Sequence, residues 1–241
     1  MNACMGSRKI RLLLWSGCLA YVVFFAGDML FYGEWGSARS WSHDYFLSMM
    51  ASVAPWRHHL GAITGPVAGG LQLLGWLALW TCCRRAAPRL AAVMLAGLYV
   101  DSCFGILQHG AFGPLGFAIR HCGPTSGAMA QMFKLDDILN KPAMGGWAIG
   151  SLIWIFLALR GKACVPRWTV LFCPFLTDWL ERAALYVPAP ISMPLWGGWT
   201  NFAGAVFFAV LALTYHDSES LAPESVVPMS AGAPSPPRSG P

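Results

Sequence analysis

Apolar residues in this chain fall in long unbroken runs. Six of them are long enough to cross about 30 Å of hydrocarbon as an α-helix rising 1.5 Å per residue. They cover Leu12–Tyr32, Leu60–Cys82, Leu90–Ala111, Ala143–Leu159, Trp168–Val187 and Leu195–Tyr215. The fourth run is short and the fifth contains Pro174, so both are candidates for tilted, broken or partly re-entrant segments. Two further stretches, Ser42–Val53 and Ala128–Asn140, place apolar residues at helical spacing beside polar ones, yet neither is long enough to span. They predict short helices lying on the outer membrane surface. The pattern therefore predicts an all-α integral membrane protein. Residues 1–216 would form a bundle of about six transmembrane helices, and residues 217–241, rich in Pro, Ser and Ala, a disordered cytoplasmic tail.

Composition supports that class. Hydrophobic residues make up 56% of the 241 and charged residues 11%, less than half of the roughly 25% usual in soluble domains. The lipid bilayer is thus the first expected partner. The net charge of +5 does not point to nucleic acid, because the basic residues sit in short clusters between apolar runs. Those clusters are Arg8, Lys9 and Arg11, then Arg84, Arg85 and Arg89, then Arg160, Lys162 and Arg167. The intervening loops are longer but hold only Arg39, Arg57, Arg120, Lys134 and Lys141. An excess of Lys and Arg marks the cytoplasmic side, so both termini are expected inside, in the plasma membrane or an endomembrane. Trp35, Trp41, Trp56, Trp147, Trp196 and Trp199 would then form an outer aromatic belt. The first run follows basic residues as a signal peptide does, but its continuation to Tyr32 favours a retained span.

The eight Cys show no CxxC spacing and no ladder with His, which argues against a disulfide framework. Cys82 and Cys83 beside Arg84 and Arg85 are either buried thiols at a helix end or S-acylation sites. Gly61, Gly65 and Gly69 repeat every four residues, as do Gly146 and Gly150. Small residues at that spacing let helices approach closely, and within one polytopic chain they are expected to pack its own helices together. Pro66 should bend the second span.

Against this background, polar groups inside the apolar runs stand out. Asp28, Asp101, Asp178, Glu181 and Asn201 interrupt four of them. A charged side chain at bilayer depth costs roughly 2.5–3.5 kcal/mol even on the mildest insertion scale, so such groups face a bundle interior or a watery cavity. Counted from the inner basic anchors at 1.5 Å per residue, Asp28 lies about 25 Å along its helix, Asp101 about 18 Å and His109 about 30 Å. Asp178 and Glu181 lie about 16 and 21 Å from Arg167, and Asn201 about 9 Å below the outer start of its helix. All therefore fall from near the midplane outward. Asp101, Gly105, Gln108 and His109 share one helical face. Asp178, Glu181 and Arg182 share another, where Asp178–Arg182 would form an internal ion pair. His43, Asp44, His58, His59 and His121 surround the same rim.

The expected site is an outward-half polar pocket. Asp28, Asp101, His109 and Glu181 are its candidate catalytic residues, and Asp178, Asn201, Gln108 and His59 its candidate ligand-binding residues. Three readings fit. The pocket binds or transforms a lipid-like or small amphipathic molecule, either through zinc held by histidines and Asp28 or Asp101, or through Glu181 or Asp101 as a general acid. Alternatively, it moves protons with a small solute. In the third reading the polar groups only fasten helices together, in a scaffold or sensor. No HExxH or GxSxG string singles out a chemistry, and the sequence leaves cofactor, metal, ligand and oligomeric state open.

Two strings carry a resemblance. Gly27-Asp28-Met29-Leu30-Phe31-Tyr32-Gly33 and His59-Leu60-Gly61-Ala62-Ile63-Thr64-Gly65-Pro66 resemble landmarks of an uncharacterised multi-span membrane family: Gly-Asp and Tyr-Gly ending the first helix, Gly-Pro opening the second. Gln108-His109-Gly110 resembles a His-Gly element in its third. The resemblance covers about the first half of the chain, implies no activity, and favours Asp28 and His109 as functional positions. Alkaline ceramidase-like hydrolases also gather acids and histidines in a helical bundle, but their paired histidine motif is absent here.

Overall fold

The computed structural model describes residues 6–32, 42–123 and 127–216, apart from the side chains of Tyr32, His43, Asp44 and Ala128. Trp35, Trp41 and the expected tail at 217–241 lie outside the described residues, as do the side chains of His43 and Asp44. The elements in chain order are α1 (Ser7–Tyr32), α2 (His43–Ser52), α3 (Pro55–Cys83), α4 (Pro88–Cys122) and α5 (Gly127–Leu159). A broken segment follows, made of a 3-10 helix (Arg167–Phe172), α6 (Pro174–Thr177) and a second 3-10 helix (Asp178–Tyr186), before α7 (Ser192–Thr214). Among the described residues, five helices, α1, α3, α4, α5 and α7, are long and apolar enough to cross a membrane.

Local sequence sets the boundaries. The Ser42 side chain accepts from the Tyr45 N–H at 3.1 Å and caps α2. Pro55 and Pro88 open α3 and α4, where a missing N–H costs no helical bond. Gly123 (φ 78°) and Gly161 (φ 65°) stop α4 and α5 in a left-handed backbone that a side chain would strain. Beyond Gly161 the chain meets Pro166 and Pro174, neither of which can donate to a helical ladder. The expected span Trp168–Val187 therefore does not form one helix. A 3-10 helix rises about 2.0 Å per residue, so this broken segment still carries the chain back along α7. Trp199 Nε1 on α7 donates to the Thr177 carbonyl at 2.8 Å and ties the two together.

Of the two short surface helices expected, α2 is present. Residues 128–140 instead continue directly into α5, which runs through Pro142. The Gln108 amide donates to Asp136 Oδ1 at 3.0 Å, fastening this extension to α4. At about 1.5 Å per residue, α4 and α5 are both longer than the hydrocarbon layer is thick. Leu47 and Met50 of α2 fill the angle between them, against Leu115, Ile119 and Met129.

Neighbouring helices make an arc in the order α5, α4, α3, α1, α7, and the broken segment lies between α7 and α5. The result is a ring. Both ends of the described chain meet at one end of it, where the Arg11 guanidinium donates to the Tyr215 carbonyl at 3.0 Å and the His216 N–H to the Cys164 carbonyl at 3.3 Å. Toward that end the interior is closed by a core that includes Leu14, Leu79, Met94, Trp154, Phe207 and Phe208. Cys82 and Cys83 are buried in this core, 7% and 0% exposed, so the S-acylation reading has no reachable thiol there.

The glycine stripes pack within the chain. A Cβ on Gly65 would lie 2.5 Å from His109 Cβ, and one on Gly61 2.7 Å from the Phe31 ring. Between α4 and α5 the approach is backbone to backbone: a Cβ on Gly97 would lie 2.9 Å from the Gly146 carbonyl oxygen and 3.2 Å from the Gly150 nitrogen. Neither atom can move without shifting a helix. Gly97→Ala should therefore destabilise the bundle by about 1–3 kcal/mol, read as a lower midpoint in thermal or SDS unfolding. Gly70→Ala, where the added carbon meets nothing within 4 Å, should be neutral or slightly stabilising. Equal midpoints for the two variants would contradict the α4–α5 contact.

Candidate functional site

Inside the ring, away from the chain ends, lies a cavity of about 360 Å³. Seven of the residues singled out in the sequence line it: Asp28 from α1, Asp101, Gln108 and His109 from α4, Asp178 and Glu181 from the second 3-10 helix, and Asn201 from α7. The eighth, His59, does not. It is exposed near the start of α3. His58 is buried, but its Nε2 meets the Met50 carbonyl at 2.9 Å on the α2 side, and His121 is exposed at the end of α4.

Each lining group is placed by its helix. The shared face of α4 turns Asp101, Gly105, Gln108 and His109 inward together. His109 fits against α3 because Gly65 leaves room for it, and its ring lies 4.8 Å from that of Phe24. Its Nε2 is 4.0 Å from Asp28 Oδ1, too far for a hydrogen bond, and its Nδ1 is buried with no hydrogen-bond partner. Asp28 instead accepts a short hydrogen bond from the Asn201 amide, joining α1 to α7.

The second 3-10 helix changes one expectation. Three residues per turn align i with i+3 rather than with i+4. Asp178 and Glu181 therefore both face the cavity, and the expected Asp178–Arg182 ion pair is not made. Asp178 accepts from the Thr200 hydroxyl at 2.8 Å, and Arg182 is exposed. Asp101 has no hydrogen-bond or ion-pair partner among the described residues, and its carboxyl group lines the cavity.

The floor is a chain of hydrogen bonds that the charge pattern did not reveal. Trp76 Nε1 donates to Ser102 Oγ at 2.9 Å, Ser102 Oγ donates to Gln72 Oε1 at 2.8 Å, and Gln72 Nε2 donates to the Tyr21 hydroxyl at 2.9 Å. Gln72, an amide in the middle of an apolar run, was the one available signal. Tyr21, Phe24 and Phe112 supply aromatic wall. Trp147, expected in the outer belt, is only 8% exposed and also lines the cavity, with its ring 5.2 Å from Phe175.

This arrangement limits the chemistry. Among the described residues, no three His, Cys, Asp or Glu side chains come close enough together to hold a metal ion. The zinc reading therefore lacks a ligand set. The described lining also has no Ser or Cys, and its one aliphatic hydroxyl, Thr200, is committed to Asp178. A hydroxyl or thiol nucleophile paired with a base is thus not assembled among the described residues. What the cavity offers is a set of acids and amides interleaved with aromatic rings.

No curated protein and no solved structure matches the chain. Residues 1–218 match a family of unknown function, DUF6796, and the chain belongs to that family.

Proposed function

We propose that the protein is a multi-pass membrane protein that binds a small amphipathic or lipid-like molecule in this cavity. The observation that carries the reading is the cavity itself, where charged and amide groups from six elements meet aromatic walls in one space. Its volume is at the lower end of the roughly 300–1,000 Å³ typical of small-molecule sites. It takes a polar head or a short amphiphile, and a long tail has to leave it. The rim supplies a way out. Met144 of α5 is 46% exposed, and Trp179 and Phe202, next in sequence to lining residues Asp178 and Asn201, are 72% and 44% exposed. An apolar tail leaving beside the broken segment would meet apolar side chains there.

Binding is favoured over passage because the cavity is blind. Below the Tyr21–Gln72–Ser102–Trp76 floor the ring is filled by its apolar core, which offers a solute no polar path. It is favoured over hydroxyl or thiol nucleophilic catalysis because no such nucleophile is assembled in the described lining. A side chain at Gly105 would enter open space, since nothing lies within 4 Å of its Cβ position. Gly105→Phe should therefore fill the cavity and leave the fold intact. Native mass spectrometry of the wild-type protein extracted from membranes should show a bound amphiphile that the folded variant lacks. The same adduct on both proteins would contradict the reading.

The same proposal includes a membrane orientation. The broken segment Arg167–Tyr186 makes a sixth crossing, and the basic end that holds both chain ends faces the cytoplasm. The cavity then opens in the outer half. Cys122, exposed at the far end of α4, reports on this. In a protein with Cys122 as its only cysteine, a membrane-impermeant maleimide should label intact cells. Labelling that needs permeabilisation would reverse the assignment.

A further inference from the structure

Building on that binding reading, we infer that the bound molecule carries a protonated amine, which Asp101 neutralises at the cavity floor. The lining is unbalanced in charge. Four carboxyl groups face the space, from Asp28, Asp101, Asp178 and Glu181, and among the described residues no Lys or Arg lines it. Among the described lining residues the one basic side chain is His109, whose Nε2 is 4.0 Å from Asp28. Asp28 and Asp178 are already engaged by Asn201 and Thr200. Asp101 has no such partner.

A carboxylate lining a narrow cavity is less screened than one on an open surface, so a cation brought to it is attracted more strongly. The neighbouring groups suit an ammonium. The Tyr21 oxygen accepts one hydrogen bond from Gln72 and has a second lone pair free for an N–H donor. Phe24, Phe112 and Trp147 line the same space, and an aromatic ring attracts a cation held over its face. A neutral alcohol would satisfy the acceptors and leave the charge uncompensated, and a carboxylate ligand would add to it. The recognised class is therefore an amphiphile with a primary or alkylated ammonium head and an apolar chain.

The test uses full-length protein in phosphatidylcholine nanodiscs, titrated calorimetrically with octylamine, octanol and octanoate against empty nanodiscs. Octylamine should bind about tenfold or more tighter than octanol, as expected for a charge-assisted hydrogen bond, and octanoate weakest. Asp101→Asn should remove that preference while octanol binding stays. Glu181→Gln at the rim, which tests the same charge without touching the floor, should weaken octylamine by a smaller factor. If all three compounds bind equally, and Gly105→Phe abolishes the binding, the amine inference is overturned and the pocket reading stands. If none binds, or Gly105→Phe changes nothing, the pocket reading falls too.

Discussion

Hydrocarbon solvates a carboxylate poorly, and this constraint organises the whole molecule. An acid placed on a spanning helix must turn away from lipid, and it is tolerated only where other groups or water can receive it. Here four acids on three separate elements turn toward the same interior space. For them to do so, the helices have to stand around a centre instead of packing through it. The ring of α5, α4, α3, α1 and α7 is that arrangement. Its tight seams, Gly97 against Gly146 and Gly65 against His109, hold the helices close enough for a ring of five to enclose only a small cavity.

The same constraint explains why the two halves of the bundle differ. Toward the chain ends no acid interrupts the described helices, and the interior closes with large apolar side chains such as Trp154 and Phe208. At the level of Ser102 and Gln72 the interior becomes polar, and each of these side chains is bonded to the next. Above that floor the interior opens. The structure thus changes from a dry core to a polar chamber across about one helical turn, between Leu98 and Ser102 on α4. The broken segment between α5 and α7 belongs to the chamber as well. Its 3-10 geometry brings Asp178 and Glu181 to bear on one space, whereas an α-helix would have paired Asp178 with Arg182 on its own surface.

Much of this was legible in the sequence, for one physical reason. A charge within an apolar run is conspicuous, and its cost dictates the direction in which it points. Asp28, Asp101, Asp178 and Glu181 could therefore be assigned to an interior before any helix was placed. The face shared by Asp101, Gly105, Gln108 and His109 followed from helical periodicity alone. The aromatic walls were not legible, because Tyr21, Phe24 and Trp147 are equally at home against lipid, at an interface or inside. His59 misled for the complementary reason: near a helix start a histidine is cheap to expose, so its presence there says little. The broken segment was hidden because apolar composition predicts burial without fixing the backbone state, and only Pro174 hinted at it. The extension of α5 through Pro142 was hidden because local sequence gives proline as a break, while contacts with α4 hold the helix continuous.

The account rests on these acids sharing one water-accessible chamber. Its most direct measurement is solvent reactivity at three lining positions, with single cysteines replacing Asp101, Glu181 and Asn201 in a protein otherwise free of cysteine. All three should react with a charged, water-soluble thiosulfonate applied from one side of the membrane, and a bulky adduct at Asn201→Cys should slow reaction at the deeper Asp101→Cys. Reactivity confined to a lipophilic maleimide, or access from opposite sides, would mean that the acids occupy separate environments and would contradict the account.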